Sequence, residues 1–130
     1  MSQSKSTYLR QAIYNAILKN TAFTGAATLY VSLHTAAPGL TGANEVPSTN
    51  AYARVAVTFG TPTAGAGSNS AAPTWPAPTP ANWGTVTHFG IWDAATGGNY
   101  YLGDALTAAV ATSIGVPVTA PIGNLTYAEL

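Results

Sequence analysis

His34 and His88 are the only histidines in the chain, and Glu45, Asp93, Asp104 and Glu129 are the only carboxylates. A metal centre needs three or four ligands around one point. His34, His88 and Asp104 have suitable donor types, but no two ligands stand at a short, recurring spacing. A lone strand histidine more often carries a satisfied hydrogen bond at a core edge or interface. Glycoside hydrolysis needs two carboxyl groups across a cleft. Asp93 and Asp104 flank a glycine-rich turn, which could bring them together. Asp93 precedes that turn, however, where Asp ordinarily bonds nearby backbone N–H groups. No G-x-S-x-G elbow, Walker A loop or dinucleotide fingerprint is present. Gly65–Asn69 is glycine-rich, but no lysine follows it and no helix opens after it. Arg54 is the only cation beyond Lys19, and can pair bidentately with Glu45, Asp93, Asp104 or Glu129. The sequence therefore assigns no catalytic residue, no cofactor and no metal ligand. Asn124-Leu125-Thr126 matches a glycosylation sequon and is read as a chance match.

The elements that must position these residues centre on Trp83–Leu106. Thr85, Thr87, Phe89 and Ile91 alternate with Val86, His88, Gly90 and Trp92, and Tyr100–Leu102 follow a turn at Asp93–Gly98. This predicts a β-hairpin with a loop longer than two residues. Residues 6–23 predict a helix, with Leu9, Ile13, Ala16 and Ile17 on one stripe widened by Tyr14 and Leu18. Ser4 or Ser6 can cap it. Its stripe must be covered by the subunit's own sheet or by a neighbour, and self-burial is the simpler expectation.

Ala27–Thr35 and Tyr52–Phe59 read as alternating strands, with a long Pro- and Gly-containing loop at residues 36–50 between them. That loop is expected to contact a neighbouring subunit. Residues 60–82 form a Pro/Gly-rich arm in which Trp75 serves as an anchor, with room for short edge strands near Asn69–Trp75. Residues 107–130 predict C-terminal strands, and Ala105–Ser113 reads as strand rather than helix. The expected fold is mainly β: an antiparallel β-sandwich or partly open β-barrel with one N-terminal α-helix, in a single domain spanning 1–130.

Charged residues make up only 6% of the 130 residues, and the net charge is zero. Ordinary soluble domains carry roughly 25% charged residues, and a neutral surface favours self-association. This leans toward a subunit covered in an assembly. Four scattered cations cannot track a phosphate backbone, so no nucleic-acid partner is expected. There are no cysteines. No run approaches the ~18 apolar residues of a membrane span, and the N-terminal MSQSKST lacks the apolar core of a secretory signal.

The runs LYVSLHTAAPGLTGANEV, YARVAVTFG and WGTVTHFGIWDAATGGNYYLGDAL resemble, in the same order, a family of small virion proteins of tailed bacteriophages. Its members are labelled tail fibre or minor structural proteins. The resemblance covers about Ser6 to Leu106. It implies a non-enzymatic particle component located in the virion and assembled in the bacterial cytoplasm. Its partners would be the major capsid protein or tail proteins and further copies of itself, as a trimer or other small ring. A capsid decoration (cement) protein is the first placement. A tail- or fibre-associated protein is the alternative, and a host-surface carbohydrate-binding module is the second alternative. Leu9, Ile13, Arg54, Trp75, Trp83 and Trp92 are the interface candidates.

Overall fold

The structure, a computed structural model, describes residues 3–129. Among these residues the chain runs β1 (Gln3–Lys5), α1 (Thr7–Leu18), β2 (Leu29–His34), β3 (Val55–Val57), β4 (Ala66–Ser68), β5 (Thr74–Trp75), β6 (Thr85–Trp92), β7 (Tyr100–Ala111), β8 (Val118–Thr119) and β9 (Thr126–Ala128). The main sheet has the order β1-β7-β6-β2-β3, and β4-β9 and β5-β8 form two small ladders. Every pairing is antiparallel. The main sheet does not close on itself, since β1 and β3 are its edges. The fold is the mainly β, antiparallel, sandwich-like architecture expected, with one N-terminal helix and no closed barrel. Leu130, the last residue of the expected C-terminal strands, lies outside the described residues.

The central hairpin forms where the alternation predicts it. Its loop is fixed by Asp93, whose Oδ1 accepts from Asn99 N–H at 2.7 Å and whose Oδ2 accepts from Asn99 Nδ2 at 2.9 Å. These bonds hold the Asp93 carboxyl below the usual range and make it the turn residue expected. Strand β7 runs on to Ala111, so the reading of Ala105–Ser113 as strand rather than helix holds as far as Ala111. Asp104 differs from a strand-end charge. It is almost fully buried within β7, where its Oδ1 accepts from Ala105 N–H at 2.8 Å.

Register assigns the two faces of the sheet. Val31, Leu33, Phe89 and Ile91 share one face. They merge into one core with Trp75, Val118, Ala120 and Leu125 from the arm and the C-terminal segment. The arm is thus anchored on the subunit's own core, with Trp75 fully buried. Asn69 locks it there. Its Nδ2 donates to Ala71 O and Pro121 O, and its Oδ1 accepts from Gly123 and Leu125 N–H.

The opposite face is polar where it is buried. Trp92 Nε1 donates to Ser32 Oγ at 2.8 Å, Ser32 Oγ lies 2.7 Å from His34 Nε2, and His34 Nδ1 lies 2.7 Å from Ala43 O. A carbonyl can only accept, so Nδ1 carries the proton. Nε2 is then the acceptor and Ser32 the donor to it. The loop of residues 36–50, expected to contact a neighbouring subunit, covers this face of its own sheet, burying Pro38 and Gly42. Two glycines make the close approach feasible. A Cβ on Gly90 would lie 2.7 Å from Ser32 Oγ, and one on Gly42 (φ 77°) would lie 2.7 Å from the Trp92 ring.

Burial lowers the pKa of His34, so the folded chain keeps it neutral while the unfolded chain protonates near pH 6.5. The unfolded state therefore takes up the proton first as pH falls. Stability contributed by neutral His34 is complete above about pH 7 and declines below 6.5 by up to ~1.4 kcal/mol per pH unit. Urea unfolding midpoints measured from pH 8 to 5 should fall below about 6.5 in the wild type and much less in His34→Gln. An equal slope in both proteins would refute this role.

Candidate functional site

Helix α1 is built as an attachment with one face left over. Ser6 caps it, with Oγ accepting from Leu9 N–H at 3.0 Å. The helix ends at Leu18, shorter than the range 6–23 expected, and Asn20 follows in the left-handed region. It is seated on Tyr101. The β6–β7 register shifts between Ile91 and Trp92, and Tyr101 falls at that irregularity. Tyr8 stacks on Tyr101 with centroids 5.9 Å apart, Phe23 meets it edge-on at 6.1 Å, and the Tyr101 carbonyl accepts from Ser6 N–H.

Of the stripe expected to be self-buried, only Leu9 and Ala16 turn toward the subunit's own sheet. Leu9, Ala12, Asn15 and Ala16 are half-buried, with Leu9 packed against the core. No helix residue is fully buried. Ile13, Tyr14, Ile17 and Leu18 point the other way, and the last three are 58%, 75% and 66% exposed. The physical reason is width. The apolar residues wrap more of the helix than one line of contact with a sheet can cover.

The other candidate residues lie elsewhere. Trp75 is in the core, and Trp83 is buried with Nε1 donating to Asn50 O and its ring edge-on to Tyr52. Arg54 is the hub of an internal clamp. Its Nε and Nη2 donate to the two Glu45 oxygens at 2.9 Å each, and its Nη1 donates to Gly97 O at 2.8 Å and Ala94 O at 3.1 Å. Its guanidinium lies 3.6 Å over the half-buried Trp92 ring. Glu45 also accepts from Tyr52 OH at 2.8 Å, and burial beside that carboxylate raises the tyrosine's pKa. Of the four acids the sequence offers Arg54, the structure selects Glu45. Neither Trp75 nor Trp83 offers a face to a sugar, and Trp92 is roofed by Arg54.

Two features have no sequence signal. One is an apolar cleft of about 280 Å3 lined by Leu29, Phe59, Ile91, Tyr101, Leu102 and Tyr127. Its walls come from segments far apart in the chain, but Tyr101 joins it to the helix seat. The other is the ion pair of Lys5 with Glu129, which ties the two ends of the described chain. Among the described residues, no three His, Cys, Asp or Glu side chains converge to hold a metal, and no helix is long and apolar enough to cross a membrane. Leu40, Ile114, Val116 and Ile122 are exposed on turns, as single apolar residues commonly are.

The clamp makes a direct prediction. Arg54→Ala leaves a half-buried Glu45 and two carbonyls without their donor, and should cost ~2–4 kcal/mol in urea unfolding. Arg54→Lys should recover less than half, because one ammonium cannot form the bidentate pair, reach both carbonyls and stack. A loss within ~0.5 kcal/mol for Arg54→Ala would remove the clamp from the account.

A search of curated protein sequences finds no match to this chain. The sequence profile of the family described as podophage GP4 fiber I protein gp80 matches residues 4–128, nearly the whole chain. That match includes the segments from which the phage resemblance is read, and extends it through the C-terminal strands. The chain belongs to the podophage GP4 fiber I protein gp80 family, and so to the small virion structural and tail-fibre proteins of bacteriophages.

Proposed function

We propose that this chain is a non-enzymatic structural subunit of the tail-fibre apparatus, acting by contact with other virion proteins. The family match across residues 4–128 carries the reading, since the family's own description is a fibre protein. The chemistry of the chain agrees with it. Arg54, Glu45, His34 and Asp93 spend their polar atoms on holding segments together. The surface left unsatisfied is apolar and lies on α1. Nothing in these features favours the head of the particle, so fibre placement takes precedence over capsid decoration.

Purified particles provide the test. Quantitative mass spectrometry should find the protein in the virion at few copies, and gold-labelled antibody should mark the tail end. Label spread over the head at high copy number would replace fibre placement with decoration. Absence from washed particles would defeat the structural role altogether.

A further inference from the structure

We infer that the outward stripe of α1 is a self-association surface, on which a second copy of this chain lays the same helix antiparallel about a two-fold axis. The stripe consists of Arg10, Ile13, Tyr14, Ile17 and Leu18, spaced i, i+3, i+4, i+7 and i+8. That is the spacing of a helix face that packs on another element. Here it faces away from the subunit's own sheet, with Tyr14, Ile17 and Leu18 mostly exposed.

Area and charge both favour a second copy. The exposed parts of these side chains and their rim amount to on the order of 600 Å2 per copy, hence ~1,200 Å2 for a symmetric pair, the lower bound of a specific stable interface. A two-fold contact requires only that one patch complement itself. Arg10 is the stripe's one charge, and α1 contains no acidic residue. Its Nε donates to the Lys5 carbonyl at 3.1 Å, which places the guanidinium at the N-terminal end of the stripe.

In an antiparallel pair centred near Tyr14 and Ile17, Arg10 comes to the C-terminal end of the other helix. That end carries the partial negative charge of unpaired carbonyls, and the last turn has no basic side chain of its own. Lys19, at the C-cap, lies roughly 180° around the helix from Arg10 and does not oppose it. A parallel pair would instead set the two Arg10 side chains together. The inference concerns the isolated chain and does not depend on where in the virion the protein sits.

The full chain should sediment as a dimer at about 100 µM. Ile17→Glu should weaken that dimer at least ~tenfold while leaving the circular dichroism spectrum unchanged, and the melting temperature unchanged at concentrations where both proteins are monomeric, because Ile17 is 75% exposed. The chain has no cysteine, so single-cysteine variants report geometry cleanly. A mixture of Gln11→Cys and Leu18→Cys proteins should oxidise mainly to the mixed dimer, with position 11 of one copy joined to position 18 of the other. A monomer at that concentration, or an oligomer indifferent to Ile17→Glu, would overturn the inference. So would preferential crosslinking of each variant to itself, which indicates parallel helices.

Discussion

The Arg54 guanidinium is held by Glu45, by the carbonyls of Ala94 and Gly97, and by the face of Trp92. Through them Arg54 joins three separate stretches: its own approach to β3, the loop after β2, and the hairpin loop between β6 and β7. None of the three has a core of its own. Joined through one side chain, they become a rigid rim on the main sheet. The interaction is strong because it is sheltered and bidentate, with side-chain exposures of only 9% for Arg54 and 19% for Glu45. In a chain with four cations and four acids, committing one of each to the interior is a large share of the available charge.

The clamp continues into the hydrogen-bond relay beneath it. Trp92 stacks under Arg54 and donates to Ser32, which donates to His34, which donates to the backbone of Ala43. Tyr52 closes the other side, accepting from Leu33 N–H and donating to Glu45. Each donor in this path has an acceptor, the condition under which a buried polar network adds specificity and does not simply cost desolvation. It also explains how so many Pro- and Gly-rich segments are ordered without long strands. Loop 36–50 and the arm are each fixed by a few non-local side-chain bonds, with Asn69 doing for the arm what His34 does for the loop.

Local patterns in the sequence are legible and non-local ones are not. The hairpin, the β2 strand and the helix cap follow from alternation and from Ser6 followed by an apolar period, and all three are present. Asp93 is readable as a turn residue because its partner is six residues away. The Arg54–Glu45 pair can be narrowed only to four acids, since charge alone does not fix which segment folds back. β1 escapes a sequence reading because a three-residue edge strand beside an unrelated hairpin has no periodicity to show. Flexible composition does not reveal that the Ala43 carbonyl of the long loop is taken by His34 within the subunit, whereas Trp75 reads as the arm's anchor and is buried. The helix errs in the reverse direction. Its apolar stripe is visible, but an apolar period cannot tell whether the covering surface is the chain's own.

The polar chemistry is therefore turned inward and the unsatisfied apolar surface is turned outward, on an element attached at one bulged tyrosine. That division fits the proposed virion subunit, in which the sheet keeps its shape alone and the helix is covered on assembly. Hydrogen exchange of the free chain, diluted until it is monomeric, compared with the same chain inside purified particles, tests it most directly. Backbone amides of α1 should slow by at least ~tenfold in the particle while those of β2, β6 and β7 stay unchanged. Unchanged exchange in α1, or protection gained by the sheet in its place, would contradict it.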